Sequence, residues 1–471
     1  MSIAYAYKPD SLFLYSDSFV KIKRPWRAAL ECVGLNTAVW AFDSYVMNQN
    51  YAKISLNTIN RNISNGFVWD NDNFSTNLLS HPYMGSIYFN AARSNGLSFW
   101  ESVPFPFAGS LMWEFIAESE PPAINDFLST SFGGVALGEV TNRLSSLLLD
   151  DSKRGTERFF REFASALISP ARGLNRLIDG DAWKVRQNRY KYNDPGDLPI
   201  KFGITTGDRY MVDDNSFFRE SNTPYLEFDI VYGDPLSNTT NQPFDYFKLN
   251  SVFNLGGNQP MVGSINLTAK ILGHCFEPIT GHKVMLGLFQ HFDYYDSGLL
   301  IKESKKIPFK ISEAAALGIG MIYQYPRTNK ITIKQSSFLN AVLLGGALTD
   351  YYNVIDRNYN MGSGYSIKTN TSIDFGKYGN FELNLMDYRI YTWKGYEDKD
   401  LAKVDPLHLN AQGDKSNVNL VIINPTIGIS LDSALRLTLG LFYYFRNTHY
   451  IYHEDIFFRT FEIRFGLKYS F

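Results

Sequence analysis

Apolar and polar side chains alternate along the last fifteen residues. Phe457, Phe461, Ile463, Phe465, Leu467, Tyr469 and Phe471 share one parity, interrupted by Arg459 near one end. Thr460, Glu462, Arg464, Gly466, Lys468 and Ser470 share the other. The pattern repeats at Leu435, Leu437, Leu439, Leu441, Tyr443 and Phe445 against Arg436, Thr438 and Gly440. Tyr365, Ile367, Ile373 and Phe375 stand in the same way against Ser366, Lys368, Asn370 and Asp374. A period of two is that of a β-strand. Strands of soluble sandwiches are usually about five or six residues long. These run to about ten or more and carry charge on the polar face, which fits lipid outside and a polar lumen inside. Twelve such segments, 282–295 and 456–471 among them, lie between residues 198 and 471 and predict a twelve-stranded antiparallel transmembrane β-barrel. Connections alternate between short (325–330, 376–379, 432–433) and long (296–307, 349–361, 395–416, 447–455). The short turns then mark the periplasmic rim, and the long loops, 395–416 among them, the external one. Parity breaks at Asn424-Pro425 and near Leu385-Met386 read as bulges.

Before Asp194-Pro195-Gly196-Asp197 the period is helical. Helices are predicted at 27–49, 82–95, 108–118, 122–149 and 156–168, with Pro170 ending the last. On 156–168, Phe159, Phe160, Phe163 and Leu167 lie opposite Arg158 and Glu162. Gly133, Gly134 and Gly138 permit close helix contact and form no phosphate loop, because no G-K-[ST] follows. The fold class is therefore α+β: an α-helical domain over 1–190, on the periplasmic side, followed by a barrel over 198–471. About 150 helical residues are too many for a twelve-stranded lumen. They are expected against the periplasmic rim, with their apolar faces available to the inner leaflet.

Composition narrows the function. Lys and Arg number 45 against 47 Asp and Glu, so no basic excess supports nucleic-acid binding. Phe (36) and Tyr (30) are too abundant for a disordered chain. Cys32 and Cys275 are read as free thiols. No run of about 20 apolar residues offers a transmembrane helix. The mean hydropathy of -0.20 looks soluble only because alternation averages out. The sequence opens MSIAYAYKPDSLF, without a basic stretch leading into an apolar one. A start internal to the gene product, or a removed leader, is expected. The final Phe471, with Tyr469 two residues before it, resembles the C-terminal signal of Gram-negative outer-membrane proteins. Outer-membrane lipid is the expected partner.

A longer resemblance covers about residues 65–180. It is carried by Val68-Trp69-Asp70-Asn71-Asp72, by Asn77 with His81-Pro82-Tyr83-Met84-Gly85, and by Ala91-Ala92-Arg93-Ser94-Asn95-Gly96. Gly109-Ser110 with Trp113-Glu114, Asn125-Asp126 with Ser129, and Gly133-Gly134 follow. Leu137-Gly138-Glu139 with Arg143, then Arg158, Glu162 and Pro170, complete it. This stretch resembles a family of Gram-negative outer-membrane proteins catalogued as a domain of unknown function. The resemblance implies an outer-membrane address and no particular activity.

Polar residues interrupt the apolar helical runs: His81, Glu114, Glu118, Asp126, Glu139 and Arg143. A His with carboxylates suits acid–base chemistry or a metal, but the spacing matches no metal motif. The simpler reading makes Glu139–Arg143 and Arg158–Glu162 helix ion pairs, Asp126 a cap-region residue and His81 a hydrogen-bond donor. His81, Glu114 and Glu139 are the catalytic candidates. No metal or cofactor is expected. In the barrel, parity assigns Glu227, Asp229, Lys270, His291, Asp293, Lys310, Asp387, Arg389, Arg436, Arg446, Glu462, Arg464 and Lys468 to the lumen. His291, Asp293, Arg389, Arg436 and Arg464 are its binding candidates. Mixed charge across a narrow lumen pairs and constricts it, and a wide pore needs sixteen to eighteen strands or so. Twelve strands also resemble outer-membrane phospholipase-like enzymes with a Ser-His-Asn arrangement, for which Ser264 and Asn266 stand beside His291 and Asp293. That family places its nucleophile toward lipid, whereas His291 is expected in the lumen.

A non-enzymatic narrow or gated channel, or an envelope scaffold with a protein partner on the helical domain, is the leading expectation. An enzyme acting on lipid or another envelope substrate, centred on His81, is the alternative. A transporter powered from the inner membrane would need a larger barrel and a folded plug.

Overall fold

The second half of the chain closes on itself. A computed structural model describes residues 22–69, 72–186, 198–213, 221–237, 242–256, 259–300, 306–328, 330–351, 357–396 and 413–471. Its strands are β1 (Ile200–Asp213), β2 (Ser221–Tyr232), β3 (Phe247–Asn254), β4 (Val262–Ile279), β5 (His282–Asp296) and β6 (Lys310–Gln324). They continue as β7 (Thr332–Leu348), β8 (Tyr359–Asp374), β9 (Gly379–Thr392), β10 (Ser416–Ser430), β11 (Leu435–Tyr450) and β12 (Ile456–Ser470). Each pairs antiparallel with its sequence neighbours, and β12 returns to β1 to complete a twelve-stranded barrel. Closure leaves no sheet edge, so the ladder satisfies every strand's backbone, as hydrocarbon surroundings require.

The alternation does what its pattern predicts on β12, where Phe465 is 53% exposed on the outside while Glu462 is buried in the lumen. Two strands correct the assignment. No register shift interrupts β9, so Tyr388 and Ile390 point inward and Asp387 and Arg389 outward. Arg389 is thus not a lumen residue; its guanidinium lies 6.0 Å from the Tyr391 ring. The supposed bulges at 385–386 and 424–425 are absent from the β9–β10 register. The lumen is itself apolar there, lined by Ile390, Val418, Leu420 and Ile422, which inverts the polarity pattern without a slip. On β6 the opposite happens: a bulge at Glu313–Ala316 reverses parity and turns Lys310 outward over the Phe74 ring. The expected long loop at 447–455 shrinks to 451–455, because β11 runs on to Tyr450. Most of 395–416, together with Asp194-Pro195-Gly196-Asp197 and the first 21 residues, lies outside the described residues.

The first half forms α1 (Pro25–Ala41), α2 (Leu56–Asn65), α3 (His81–Ser94), α4 (Phe99–Ser102) and α5 (Pro104–Met112). Then come α6 (Ile124–Leu128), α7 (Gly134–Leu148), α8 (Gly155–Ile168) and α9 (Pro170–Ile178). Five-residue π-helical turns at Phe42–Val46, Trp113–Ala117 and Ser129–Gly133 interrupt the longer predicted helices, and one at Thr76–Ser80 leads into α3. Pro170 ends α8 and also opens α9, a position where its missing N–H costs nothing.

These helices neither plug the lumen nor stop at one rim; they lie along the outside of the barrel wall. Near the rim where β1 begins, Phe99 packs on Phe244 of the β2–β3 connection at 5.6 Å. Midway, the Gln290 amide donates to the Phe132 carbonyl at 2.9 Å. At the opposite rim Phe74 meets Tyr294 and Tyr359, and Trp69 meets Trp393 at 4.6 Å. Tyr232, Phe247, Leu267, Phe292 and Met361, all outward by register, are buried beneath this layer. α3 and α7 are its inner members and pack through glycines. A Cβ on Gly85 would lie 1.8 Å from the Thr130 carbonyl oxygen, and one on Gly134 2.6 Å from Gly85. Outside them, α1, α8 and α9 form a further layer.

Candidate functional site

Two charge networks dominate the molecule, one inside the helical layer and one inside the lumen. In the first, Glu139 on α7 is fully buried between two guanidinium groups. Arg93 of α3 donates through Nε and Nη2 at 2.7 and 3.1 Å, a bidentate fork, and Arg143 donates through Nε at 2.9 Å. Arg143 also reaches the barrel, donating to the Pro243 carbonyl at 2.8 Å and to the Tyr232 hydroxyl at 3.3 Å. The expected Glu139–Arg143 pair is present, and it is part of a clamp between the helices and β2–β3. A second node sits between α8 and α9. Asp151 accepts from Arg158 (2.8 Å) and Arg176 (2.7 Å), and Glu162 pairs with the same two arginines at 2.8 and 2.7 Å. A third joins α1 to α9, with Arg27 on Glu31 (3.1 Å) and Asp179 (2.6 Å).

The catalytic candidates have separate duties. His81 Nε2 lies 3.5 Å from Asp126 and its Nδ1 3.3 Å from the Thr130 hydroxyl. Glu114 accepts the backbone N–H of Ala123 at 2.7 Å, bracing the segment before α6. Glu139 is held by Arg93 and Arg143. Among the described residues no three His, Cys, Asp or Glu side chains are grouped as a metal site would need.

Through its middle and toward the loop-bearing rim the lumen is filled by its own side chains, whereas nearer the turn-bearing rim the Lys248 and Glu382 side chains are 41% and 32% exposed. Lys368 on β8 bonds Asp293 on β5 and, at 2.6 Å, Glu313 on β6; the Tyr388 hydroxyl of β9 donates to Asp293 at 2.6 Å. Tyr295, Phe309, Ile311, Val342, Tyr388 and Tyr444 pack around that network as a continuous apolar core. Toward the loop-bearing rim, Arg464 pairs with Glu462 and lies over the Phe442 ring at 4.2 Å. Phe309, from the β5–β6 connection, stacks on Tyr444 at 4.2 Å. Of the other candidates, His291 is buried with Nδ1 3.3 Å from Thr268, and Arg436 donates to Asn380 at 3.3 Å. Arg93, Asp151, Arg176, Glu313 and Tyr388 were not singled out as site residues in the sequence. Of these, Arg176 alone leaves a local trace, since Arg172, Asn175 and Arg176 share one face of α9 against Leu174, Leu177 and Ile178.

The closed wall, the apolar outside and the charged inside define a transmembrane β-barrel of the outer-membrane kind, with a helical layer on its wall. Residues 66–171, most of that layer, match the model of a family described as "Domain of unknown function (DUF3943)". No curated protein matches the chain. Among solved structures the chain is similar to the NanC porin, at 8% identity over 56% of this chain and 98% of that one, with a TM-score of 0.29. It is also similar to the KdgM porin solved with disordered oligogalacturonate, at 10% identity over 57% and 99% with a TM-score of 0.24. The toluene transporter TodX of P. putida follows at 9% identity over 58% and 90%, with a TM-score of 0.21. Likenesses this low say nothing of a solute.

Proposed function

We propose that this is a non-enzymatic outer-membrane scaffold, in which a barrel whose lumen is blocked by a packed core anchors the helical layer to the membrane. The observation that carries the reading is the lumen core: Tyr295 of β5 and Tyr388 of β9 meet across the interior with ring centroids 6.0 Å apart. The Tyr388 hydroxyl bonds Asp293 of β5, and Lys368 ties that carboxylate and Glu313 of β6 to β8 by charge. The periplasmic side is assigned to the rim of the 280–281, 375–378 and 431–434 turns, where both barrel ends lie and the helical layer joins β1. A partner protein in the envelope would be met from that side. The separate partners of His81, Glu114 and Glu139 support a structural rather than catalytic role, so His81→Gln should be tolerated in any envelope phenotype. Loss of the phenotype with folding intact would favour the enzyme.

Conductance in planar bilayers is the primary test. The full chain should be electrically silent, and deleting the helical layer should not open it, because that layer is outside the wall. Discrete conductance steps from the intact chain would replace the scaffold with a gated channel. One observation favours that second reading: part of the lumen is closed by Pro308 and Phe309 of a connection, the former accepting from Arg446 at 2.8 Å, rather than by a strand.

A further inference from the structure

The helical layer is built inside out. Its main charge network is interior: Arg93, Glu139, Arg143, Asp151, Arg158 and Arg176 each have no more than 6% of their surface exposed, while exposed charges such as Lys23, Glu157 and Arg161 pair along its margins. Large apolar side chains of its outer helices point away from the protein. On α8, Phe160 and Phe163 are 61% and 52% exposed; on α9, Leu174 and Leu177 are 52% and 54%; on α1, Trp26 and Leu30 are 83% and 71%. The hydrogen bonds from Arg27 to Asp179 and from Asn175 to Glu31 hold α1 against α9, so the apolar faces of the outer helices lie side by side. A water-soluble domain reverses this arrangement, and a contiguous apolar face of this kind marks an interaction surface. Charges that face a bundle interior and pair with one another are the pattern of protein held in lipid.

The barrel identifies the occupant. Where the helical layer ends on β6, Pro82 lies within 2.7 Å of where a Gly133 Cβ would be, and that position is 3.4 Å from the Ala314 carbonyl. Farther along the same strand Leu317 and Ile319 are 43% and 65% exposed on the outer wall. The apolar exterior of the helices therefore continues into the lipid-facing exterior of the barrel. No helix among the described residues is long and apolar enough to cross a membrane, so these helices meet lipid with one face while lying on the wall. We infer that α1, α8 and α9 face the acyl chains of the membrane, and that the helical layer takes the place of annular lipid along β2–β8. This rests on the barrel being a membrane barrel, and deepens it by assigning acyl chains to a surface that a scaffold would otherwise offer to protein.

The test uses the full chain with Cys32 and Cys275, both buried, changed to Ala, and single cysteines carrying a bimane label at Leu30, Phe163, Leu177, Phe465 or Asp432. Each is reconstituted in phosphatidylcholine vesicles with or without lipid bearing a nitroxide on its acyl chain. Labels at 30, 163 and 177 should be quenched by the nitroxide as fully as the label at 465 and should resist aqueous iodide, which should reach the turn at 432. Iodide quenching at 163 and 177 with nitroxide quenching retained at 465 would overturn the inference and leave the barrel intact. Protection from both quenchers would also overturn it, in favour of a second copy or another protein on that face. Absence of nitroxide quenching at 465 would overturn the membrane barrel itself. A chain without labels gives an independent reading if a variant misfolds: vesicles with brominated acyl chains should quench the exposed Trp26, Trp100 and Trp183.

Discussion

The barrel and the helical layer reach the same polarity, apolar outside and charged within, by different routes. In the barrel each side chain's face follows from strand parity, and neighbouring strands satisfy the backbone. In the helical layer each helix satisfies its own backbone, and local i,i+4 pairs such as Glu139–Arg143 are completed by partners that only tertiary packing supplies. Arg93 and Glu139 are 46 residues apart, and Arg176 and Asp151 are 25 apart. Local geometry determines the barrel's inside, while long-range ion pairs determine that of the helical layer. Breaking one ion pair should therefore cost more in the helices than breaking a single contact on the outer wall.

The largest effect is expected at Glu139. Its removal leaves Arg93 and Arg143 buried without their carboxylate, which costs roughly 3–5 kcal/mol where a buried pair is broken. Urea unfolding of the helical layer, followed by tryptophan fluorescence in vesicles, would measure it. Glu139→Ala/Arg143→Ala should recover part of the loss, and Arg93 should limit the rescue because a second guanidinium is still unpaired. A cost below about 1 kcal/mol, the range of exposed pairs, would mean that water reaches the clamp. A double-mutant cycle isolates the Glu139–Arg143 coupling.

A somewhat smaller effect is expected on the bare wall. Phe465→Arg places a charge where Phe465 now faces outward, and should cost about 2–4 kcal/mol near the bilayer midplane. Folding yield into vesicles at increasing urea reads this directly. Arg464→Ala, one residue away, removes one lumen partner of Glu462 and leaves it Arg209 and the Tyr444 hydroxyl, so its smaller effect should be governed by the buried carboxylate rather than by lipid. Equal, small effects at both positions would erase the distinction between wall and lumen.

The barrel was the more legible region. The expected segment 282–295 is β5 at His282–Asp296, and 456–471 is β12 at Ile456–Ser470, because a period of two over fifteen residues leaves little freedom in either boundary or face. Parity failed at Lys310, where a bulge reversed it, and at Asp387 and Arg389, where the lumen is apolar. Neither is visible in a single strand. The helices at 82–95 and 156–168 are likewise legible, but α9 is not, because a proline that stops one helix gives no local sign that it opens the next. The lumen site was half legible. Asp293 was marked as inward, but its partner Lys368 is 75 residues away, and barrel curvature alone brings them together. The position of the helical layer on the wall depends on such distant contacts throughout, among them Asn77 with Tyr359.

The smallest effect should come from the turn between β10 and β11, where the barrel meets water. The Asp432 carboxylate accepts the backbone N–H groups of Ala434 and Leu435, both at 2.7 Å. These bonds favour the charged form and hold its pKa below the ordinary carboxylate value of 3.8. A carboxyl whose folded pKa is lowered adds stability above its unfolded pKa, and that contribution fades as the pH falls through the folded value. Asp432→Asn keeps an acceptor and loses the charge. The wild-type chain should therefore be slightly more resistant to urea than the variant at pH 7. The gap should persist at pH 5 and narrow only below the ordinary carboxylate range. A gap that widens on acidification would mean that the turn prefers the protonated acid. The same titration separates the two regions, because a solvent-facing turn bond should be lost without releasing the helical layer, whereas Glu139→Ala should release that layer at neutral pH.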